Sequence, residues 1–440
     1  MAGSEAPPPD PLGIDAGLRE ETIFTWGAPP LKFGAGALDE IGFEVAQYGL
    51  KRVLVVTDRG VERLGLAQRV VDALAAYEIE AGVYADVHVE PTDESVAAAV
   101  AFAREGGPWD GYVAIGGGSS IDTAKAVNLI LTDGGELFDY LNAPIGEARA
   151  PKGALAPLFA VPTTAGTGSE STAMCILDVL SMKVKTGISH WRLRPTLAIV
   201  DPLLTMTLPP QVSAASGMDI VCHALESYTA RWYTSFDRKT AEQRVTYCGS
   251  NPVSDLWAEK SLQLIANSLR TVVREGADVR ARSEMMMAAT FAGMGFGNSG
   301  VHIPHANGYP IAGRVRDYRP ANYPPDEAMV PHGESVSLTA PAAFRFSFDS
   351  APERHLRAAA LLDPTLERGG EAGEQLPAAL IRLMRDIGIP NGIEAVGYSA
   401  SDIPDLVPGT MKQQRLLATC PKPVDEEDIA AIFEGSLTNW

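Results

Sequence analysis

The sequence predicts an α/β N-terminal domain built on a doubly wound, mostly parallel sheet, followed by an all-α C-terminal domain. Three observations predict it. Short apolar runs alternate with helical stretches from Lys51 to about Leu204, which is the rhythm of βαβ units. One of these runs breaks into three consecutive glycines, Gly116, Gly117 and Gly118, just before a helical stretch. From about Pro209 onward the strand signal fades, and long amphipathic or buried helical patterns replace it.

Taken in order, the first residues are Pro-rich and acidic. They lack the apolar core of a signal peptide and the Arg enrichment of a transit peptide. Residues 1–23 therefore read as a disordered leader. KRVLVVTD (51–58) reads as a buried parallel strand ending in an acid, Asp58. Helices are expected at 61–77, 93–105 and 119–131. DGYVAI (110–115) is a second strand, and GGGSSIDTAK (116–125) follows it. Its glycines let the backbone approach a ligand closely, and the helix start offers N–H groups to a pyrophosphate. Taken alone, this is equally an ordinary strand-to-helix turn. FAVPTTAGTGSE (159–170) gathers Thr163, Thr164, Thr167 and Ser169 around Gly166 and Gly168. Such a loop suits a polar ligand or a capped helix start. DPLLTMTLPP (201–210) is the natural boundary, so the expected domains are 24–204 and 205–440. Helices are expected beyond it at 258–275, 281–294 and 376–387. Segments 231–252 and 314–331 have no clean period; they are pocket walls or solvated loops.

Composition narrows the function. A length of 440 residues fits two domains. A net charge of −19 argues against nucleic acid or an anionic membrane as partner. No apolar run is long enough to span a bilayer. The four cysteines are scattered and form no CxxC pair, so free thiols and a cytoplasmic home are expected.

Four residues form a candidate metal site: Asp219, His223, His305 and His332. Asp219 and His223 are four apart in GMDIVCHALESY (217–228), which reads as helix, so both project from one face. His305 lies in VHIPHANGYP (301–310), and His332 opens HGESV (332–336). Three imidazoles and a carboxylate suit iron(II) or zinc as a Lewis acid. An Asp–His pair at this spacing is also common on helix surfaces. Cys222 is one residue off the face and reads as core.

In this order, GGGSSIDTAK, PTTAGTGSE, DIVCHALESY, HIPHANGYP and PHG resemble the iron-containing alcohol dehydrogenase family. Further segments are similar to its hydroxyacid-oxoacid transhydrogenase branch: VEPTD (89–93), KVKTGI (183–188), GSNPVSDLW (249–257), FAGMGFGNSGVH (291–302), PERHL (352–356), AVGYS (395–399) and DIPDLVPGT (402–410). The resemblance runs from about Phe24 to Trp440. It implies an iron-type alcohol dehydrogenase, dehydroquinate synthase-like architecture. It implies Asp219, His223, His305 and His332 as ligands of a divalent metal, Fe2+ first and Zn2+ second. It implies NAD as cofactor, with Gly117, Gly118 and Ser119 on the pyrophosphate. Asp122, Thr163, Thr164 and Lys185 would line the nicotinamide side. Asp58 would accept the adenosine ribose hydroxyls and repel a 2′-phosphate, favouring NAD over NADP.

One departure stands out. Many relatives carry a second histidine four residues after the third ligand, where this chain has Tyr309. Tyr309 or a water would replace it as proton relay. His302 reads as a neighbour of the ligands rather than one of them. The branch implies that a hydroxyacid, typically 4-hydroxybutyrate, reduces bound NAD and a 2-oxoacid, typically 2-oxoglutarate, then takes the hydride. An ordinary NAD-dependent alcohol or 4-hydroxybutyrate dehydrogenase is the alternative, and a non-catalytic nucleotide sensor a remote third. The partners are small carboxylates, for which Arg231, Arg314, Arg316 and Arg319 are the candidate clamps, and a homo-oligomer is expected.

Overall fold

The computed structural model describes residues 19–182, 184–323, 325, 328–366 and 369–440. Side chains of the strands Arg52–Val56, Gly111–Gly116, Leu158–Pro162 and Leu197–Val200 are buried on both sides almost throughout, which is why these strands are near-unbroken apolar runs, whereas Leu31–Phe33 and Glu80–Tyr84 at the sheet edges are mostly half-buried. Six strands form the main sheet: β1 (Leu31–Phe33), β2 (Arg52–Val56), β3 (Glu80–Tyr84), β4 (Gly111–Gly116), β5 (Leu158–Pro162) and β8 (Leu197–Val200). Their order is β1-β8-β5-β4-β2-β3 and every pairing is parallel. Leu54, Tyr112 and Ala114 pack on one face against Val96, Ile121 and Ala124. Val53, Val55, Val113 and Ile115 pack on the other against Ile41, Val70 and Leu74.

The sheet order reverses at β2. The chain leaves it for β3 on one side and returns through the helix Asp93–Gly106 to β4 on the other. Such a switch point opens a crevice at the carboxyl ends of the strands. Asp58 follows β2 there, and Gly117 and Gly118 follow β4.

A separate antiparallel pair, β6 (Met174–Val179) and β7 (Val184–Ser189), covers that end. The sequence reading missed this hairpin, because the second strand carries Lys185, Thr186 and Gly187 in place of an apolar run. The helix expected at 61–77 is two, Arg59–Arg63 and Leu66–Ala75, divided at Gly65 with φ 75°.

No strand is found among the described residues after Val200. The helix Pro210–Thr229 is buried along nearly its whole length and packs against Pro252–Arg274 and Val279–Ser299. The helix expected at 258–275 starts six residues earlier than that reading, with Pro252 at its first position. Proline fits there because that N–H has no helical partner. Asn251 caps the same end, accepting from the N–H groups of Val253 at 3.2 Å and Ser254 at 3.0 Å. This explains the GSNPVS text.

Of the expected leader, residues 1–18 lie outside the described residues. Glu21 donates its N–H to Phe236 O at 2.8 Å, and its carboxylate accepts from Arg244 at 3.2 Å. All four cysteines are free, and Cys222 lies in the helical core. No helix among the described residues is long and apolar enough to cross a membrane.

Candidate active site

Asp219 and His223 sit one turn apart on the buried helix Pro210–Thr229, His305 near the start of Ile303–Gly313, and His332 at the start of His332–Ser337. The structure brings Asp219, His305 and His332 into one mutually close set, with His223 joined to it through Asp219. Asp219 Oδ1 lies 3.7 Å from His223 Nε2, 3.5 Å from His305 Nε2 and 3.8 Å from His332 Nε2. Donors about 2.1 Å from one tetrahedral ion stand about 3.4 Å apart, so the spacing fits a shared ion. Asp219 Oδ1 and His305 Nε2 are buried without a hydrogen-bond partner. Two unsatisfied buried acceptors side by side are costly unless a cation joins them. The residues present therefore fit a divalent metal.

Packing sets this convergence. A Cβ on Gly333 would fall 1.8 Å from Ala215 O, so only glycine lets the segment carrying His332 lie on the Asp219 helix. The His223 ring stacks on Phe296 at 3.8 Å between centroids. Glu226, fully buried one turn beyond His223, holds His305 from behind. Its carboxylate accepts from His305 Nδ1 and from the backbone N–H groups of His302 at 2.9 Å and His305 at 3.1 Å. That bond leaves His305 Nε2 facing the centre.

Electrostatics follow from burial and this geometry. Burial pushes the His223 imidazole down to about 3, so it is neutral. Burial opposes charge on His305 too, but the Glu226 and Asp219 carboxylates outweigh it and lift it to about 9. Burial opposes ionisation of Asp219, yet the imidazoles around it hold its carboxyl well below the usual range. This is a field built for positive charge. His302 is turned away, its Nε2 3.0 Å from Thr229 Oγ1.

The four residues line a single cleft together with Gly118, Ser119, Asp122 and Thr167. The helix Gly118–Asp133 has no side-chain cap at its N-terminus, Gly117, so its first N–H groups remain available. Thr164 packs beside Gly117, and Thr163 donates its N–H to Gly116 O at 2.9 Å. Asp58 caps the helix Arg59–Arg63 through Gly60 N at 2.8 Å and Val61 N at 3.0 Å. Its other oxygen faces Ser120 Oγ at 3.4 Å. Asp58, Gly117, Thr163 and Thr164 thus follow the ends of β2, β4 and β5 and do not line the cleft itself.

Two expected nicotinamide-side residues are already engaged. Asp122 accepts from Ser169 Oγ and from Ile176 N at 2.9 Å, holding the hairpin to the helix. Lys185 lines the cleft, but its ammonium is paired with Glu90 and, at 3.2 Å, with Asp178. Tyr309 also lines the cleft, with its ring 6.2 Å from that of His332.

The four expected arginine clamps do not line the cleft. Arg231 binds Ser235 and lies 4.4 Å over Phe236. Arg314 is 3.9 Å from Asp405, Arg316 pairs with Asp402, and Arg319 donates to the carbonyl of Pro325 at 3.1 Å. Each lies in a polar segment whose charges find nearby surface partners. Tyr247 is the wall residue that 231–252 supplies, and no described residue of 314–331 lines the cleft.

The sequence reading missed Glu226, Glu90 and Arg415. Glu226 lies seven after Asp219, on the same helix face, and that spacing could have found it. Glu90 stands inside VEPTD with a positive φ of 58° and donates its N–H to Ser119 Oγ at 3.1 Å. Arg415 enters from the short helix Gln414–Leu417. Nothing in its local sequence marks it.

Residues 29–202 match the iron-containing alcohol dehydrogenase family model, and residues 213–437 match that of the Fe-containing alcohol dehydrogenase C-terminal region. The mitochondrial hydroxyacid-oxoacid transhydrogenase of Mus musculus is 44% identical over 99% of this chain and 93% of its own length. That of Homo sapiens is 43% identical over 96% and 91%. A 1,3-propanediol oxidoreductase superposes with a TM-score of 0.82 at 30% identity, covering 94% of this chain and all of that one (100%). A sulfoacetaldehyde reductase from Bifidobacterium kashiwanohense, solved with NAD+, superposes with a TM-score of 0.75 at 26% identity, covering 94% and 99%. The relatives' names overturn the expected cytoplasmic home, because they are mitochondrial enzymes. That expectation rested on scattered free cysteines and on a leader without signal- or transit-peptide character, and neither free thiols nor the composition of a short leader separates one reducing compartment from another. Matched in both halves and along its length, the chain belongs to the iron-containing alcohol dehydrogenase family.

Proposed function

We propose that the protein is a hydroxyacid-oxoacid transhydrogenase that works with bound NAD and a divalent metal, iron(II) before zinc. Its family makes it an oxidoreductase acting on CH–OH groups. The observation that carries the finer reading is a single cleft. Asp219, His223, His305 and His332 line it together with Gly118 and Ser119, in a chain similar along its length to proteins of that name.

A divalent ion bound there supplies Lewis-acid polarisation of a substrate oxygen, and NAD supplies a hydride carrier. The chain's own residues do the rest. One carboxylate and three imidazoles make a donor set that suits iron(II) or zinc. The uncapped start of the helix Gly118–Asp133, with Gly117 and Ser119, receives the pyrophosphate. Thr163, Thr164 and Lys185 flank the nicotinamide, and Asp122 fixes the segment behind it. Asp58 takes the ribose hydroxyls and disfavours NADP. Burial pushes the Tyr309 hydroxyl up to about 12, so near neutral pH it serves as a hydrogen-bond donor to the reacting oxygen. We assign the nucleotide half to 24–204 and the metal half to 205–440.

The net reaction moves one hydride from C4 of 4-hydroxybutyrate to C2 of 2-oxoglutarate. One proton passes from the hydroxyl of the first to the carbonyl oxygen of the second. The products are succinic semialdehyde and 2-hydroxyglutarate, with no net change in the nucleotide. Protein purified with its own nucleotide should form both in equal amounts, without added NAD and with ping-pong kinetics. A requirement for soluble NAD, with NADH released at each turnover, would leave the ordinary dehydrogenase. The likeness to 1,3-propanediol oxidoreductase favours that second reading.

A further inference from the structure

Two cationic side chains other than histidine line the cleft, Lys185 and Arg415. Lys185 is neutralised by Glu90 and Asp178. Arg415 has no carboxylate partner among the described residues. Its guanidinium lies 4.7 Å over the Tyr247 ring and 4.0 Å from Met174 Sδ. These contacts orient the group without cancelling its charge. Tyr247 and Met174 line the same cleft, as do Ile176, Phe296 and Val301. The site thus presents an anion-binding fork beside apolar side chains in the same cleft as the metal set, in a chain of net charge −19.

We propose that Arg415 is the shared carboxylate anchor for both substrates, and that the site selects a reacting carbon separated from a carboxylate by two methylenes. The inference rests on the transhydrogenase reading. In 4-hydroxybutyrate the hydroxyl-bearing carbon is followed by two methylenes and a carboxylate. In 2-oxoglutarate the ketone carbon is followed by the same two methylenes and the distal carboxylate. One cation at one place therefore registers either substrate against the metal set. The remaining carboxylate of the oxoacid takes the position of a hydrogen on the hydroxyacid. The methylenes lie along those apolar side chains. This is how one site serves both halves of a ping-pong cycle without rearranging.

The test uses the full-length protein with its metal and nucleotide. Arg415→Leu should raise KM for 4-hydroxybutyrate and for 2-oxoglutarate together, by about 10- to 100-fold, as expected for a lost charge-assisted bond. The change in kcat should stay within about threefold, since uniform binding is what is removed. Arg415→Lys should recover part of both KM values. Butyrate, which has the same chain and carboxylate but no reacting oxygen, should bind the wild type in calorimetry and lose affinity in the variant. The wild type should prefer the two-methylene hydroxyacid over homologues one carbon shorter or longer. A fall in kcat with KM unchanged would overturn the proposal, as would a raised KM for one substrate alone or butyrate binding indifferent to Arg415. Butyrate binding requires no hydride transfer. Failure of the transhydrogenase reading would leave it intact, so the two failures are distinguishable.

Discussion

Glu226 does not line the cleft, yet it sets the direction of His305 by accepting from Nδ1. Glu226→Gln should fold and still lose about 10- to 100-fold in metal affinity, measured by competition with a chromophoric chelator. Unchanged affinity would remove it from the site. His305→Ala should lose metal and turnover together, and full metal content with full activity would sink the ligand set. Asp58 caps a helix and, in the proposed function, also takes the ribose hydroxyls, so the choice of substitution matters. Asp58→Ser keeps an N-cap and removes the charge, so NADP discrimination should relax without loss of stability. Asp58→Ala should also cost about 1 kcal/mol of cap. A wild type that already used NADP as readily as NAD would end the role of Asp58. The ligand candidates were legible because their types are rare and chemically specific: three of seven histidines fall in the set. Arg415 was not legible. One arginine among many acquires meaning only when folding strips it of carboxylate neighbours.

At the scale of elements, close approaches at small residues hold the cleft together. Gly168, with φ 59°, meets the helix Val279–Ser299 at Gly293; a Cβ on Gly293 would fall 2.7 Å from Gly168 O. Gly293→Ala should therefore displace the 163–168 loop and weaken NAD binding, seen by fluorescence titration, with metal content preserved. Loss of metal as well would mean a wider collapse. Gly333→Ala should do the opposite first. Its Cβ meets backbone that cannot step aside, at a cost of about 1–3 kcal/mol, and His332 should leave the metal set. Most helices were legible from period alone. The start of Pro252–Arg274 was not, because Pro252 reads as a breaker until Asn251 is seen to cap ahead of it. The hairpin β6–β7 was hidden because its residues face a ligand cleft, and a cleft wall has no clean alternation.

The whole molecule joins a parallel sheet with a crevice at its strand ends to a helical half that carries Asp219, His223, His305 and His332, and in the proposed function the reacting groups meet between them. The βαβ rhythm made the first half legible. Among the helices, proximity depends on long-range packing that no local pattern records. The transhydrogenase cycle requires the nucleotide to stay while substrates exchange. Dialysis against buffer should therefore leave NAD bound in near-stoichiometric amount, as measured after acid release. A nucleotide-free protein at full activity would contradict that.

Asp219 and Glu226 place two carboxylates in the interior around a single site. Electroneutrality then demands a countercharge, and a proton on His305 is the stand-in when a chelator removes the ion. Its folded value of about 9 lies above its ordinary 6.5. The stabilisation is thus fully present below 6.5 and is lost as pH rises through 9. Melting temperatures of chelated protein should fall between pH 6.5 and 9, while metal-loaded protein should hold steady across that window. Parallel curves would mean that proton and metal do not compete for the same lone pair. Demetallation in weak buffer should also draw protons from solution, so that the pH itself reports the departure of the ion.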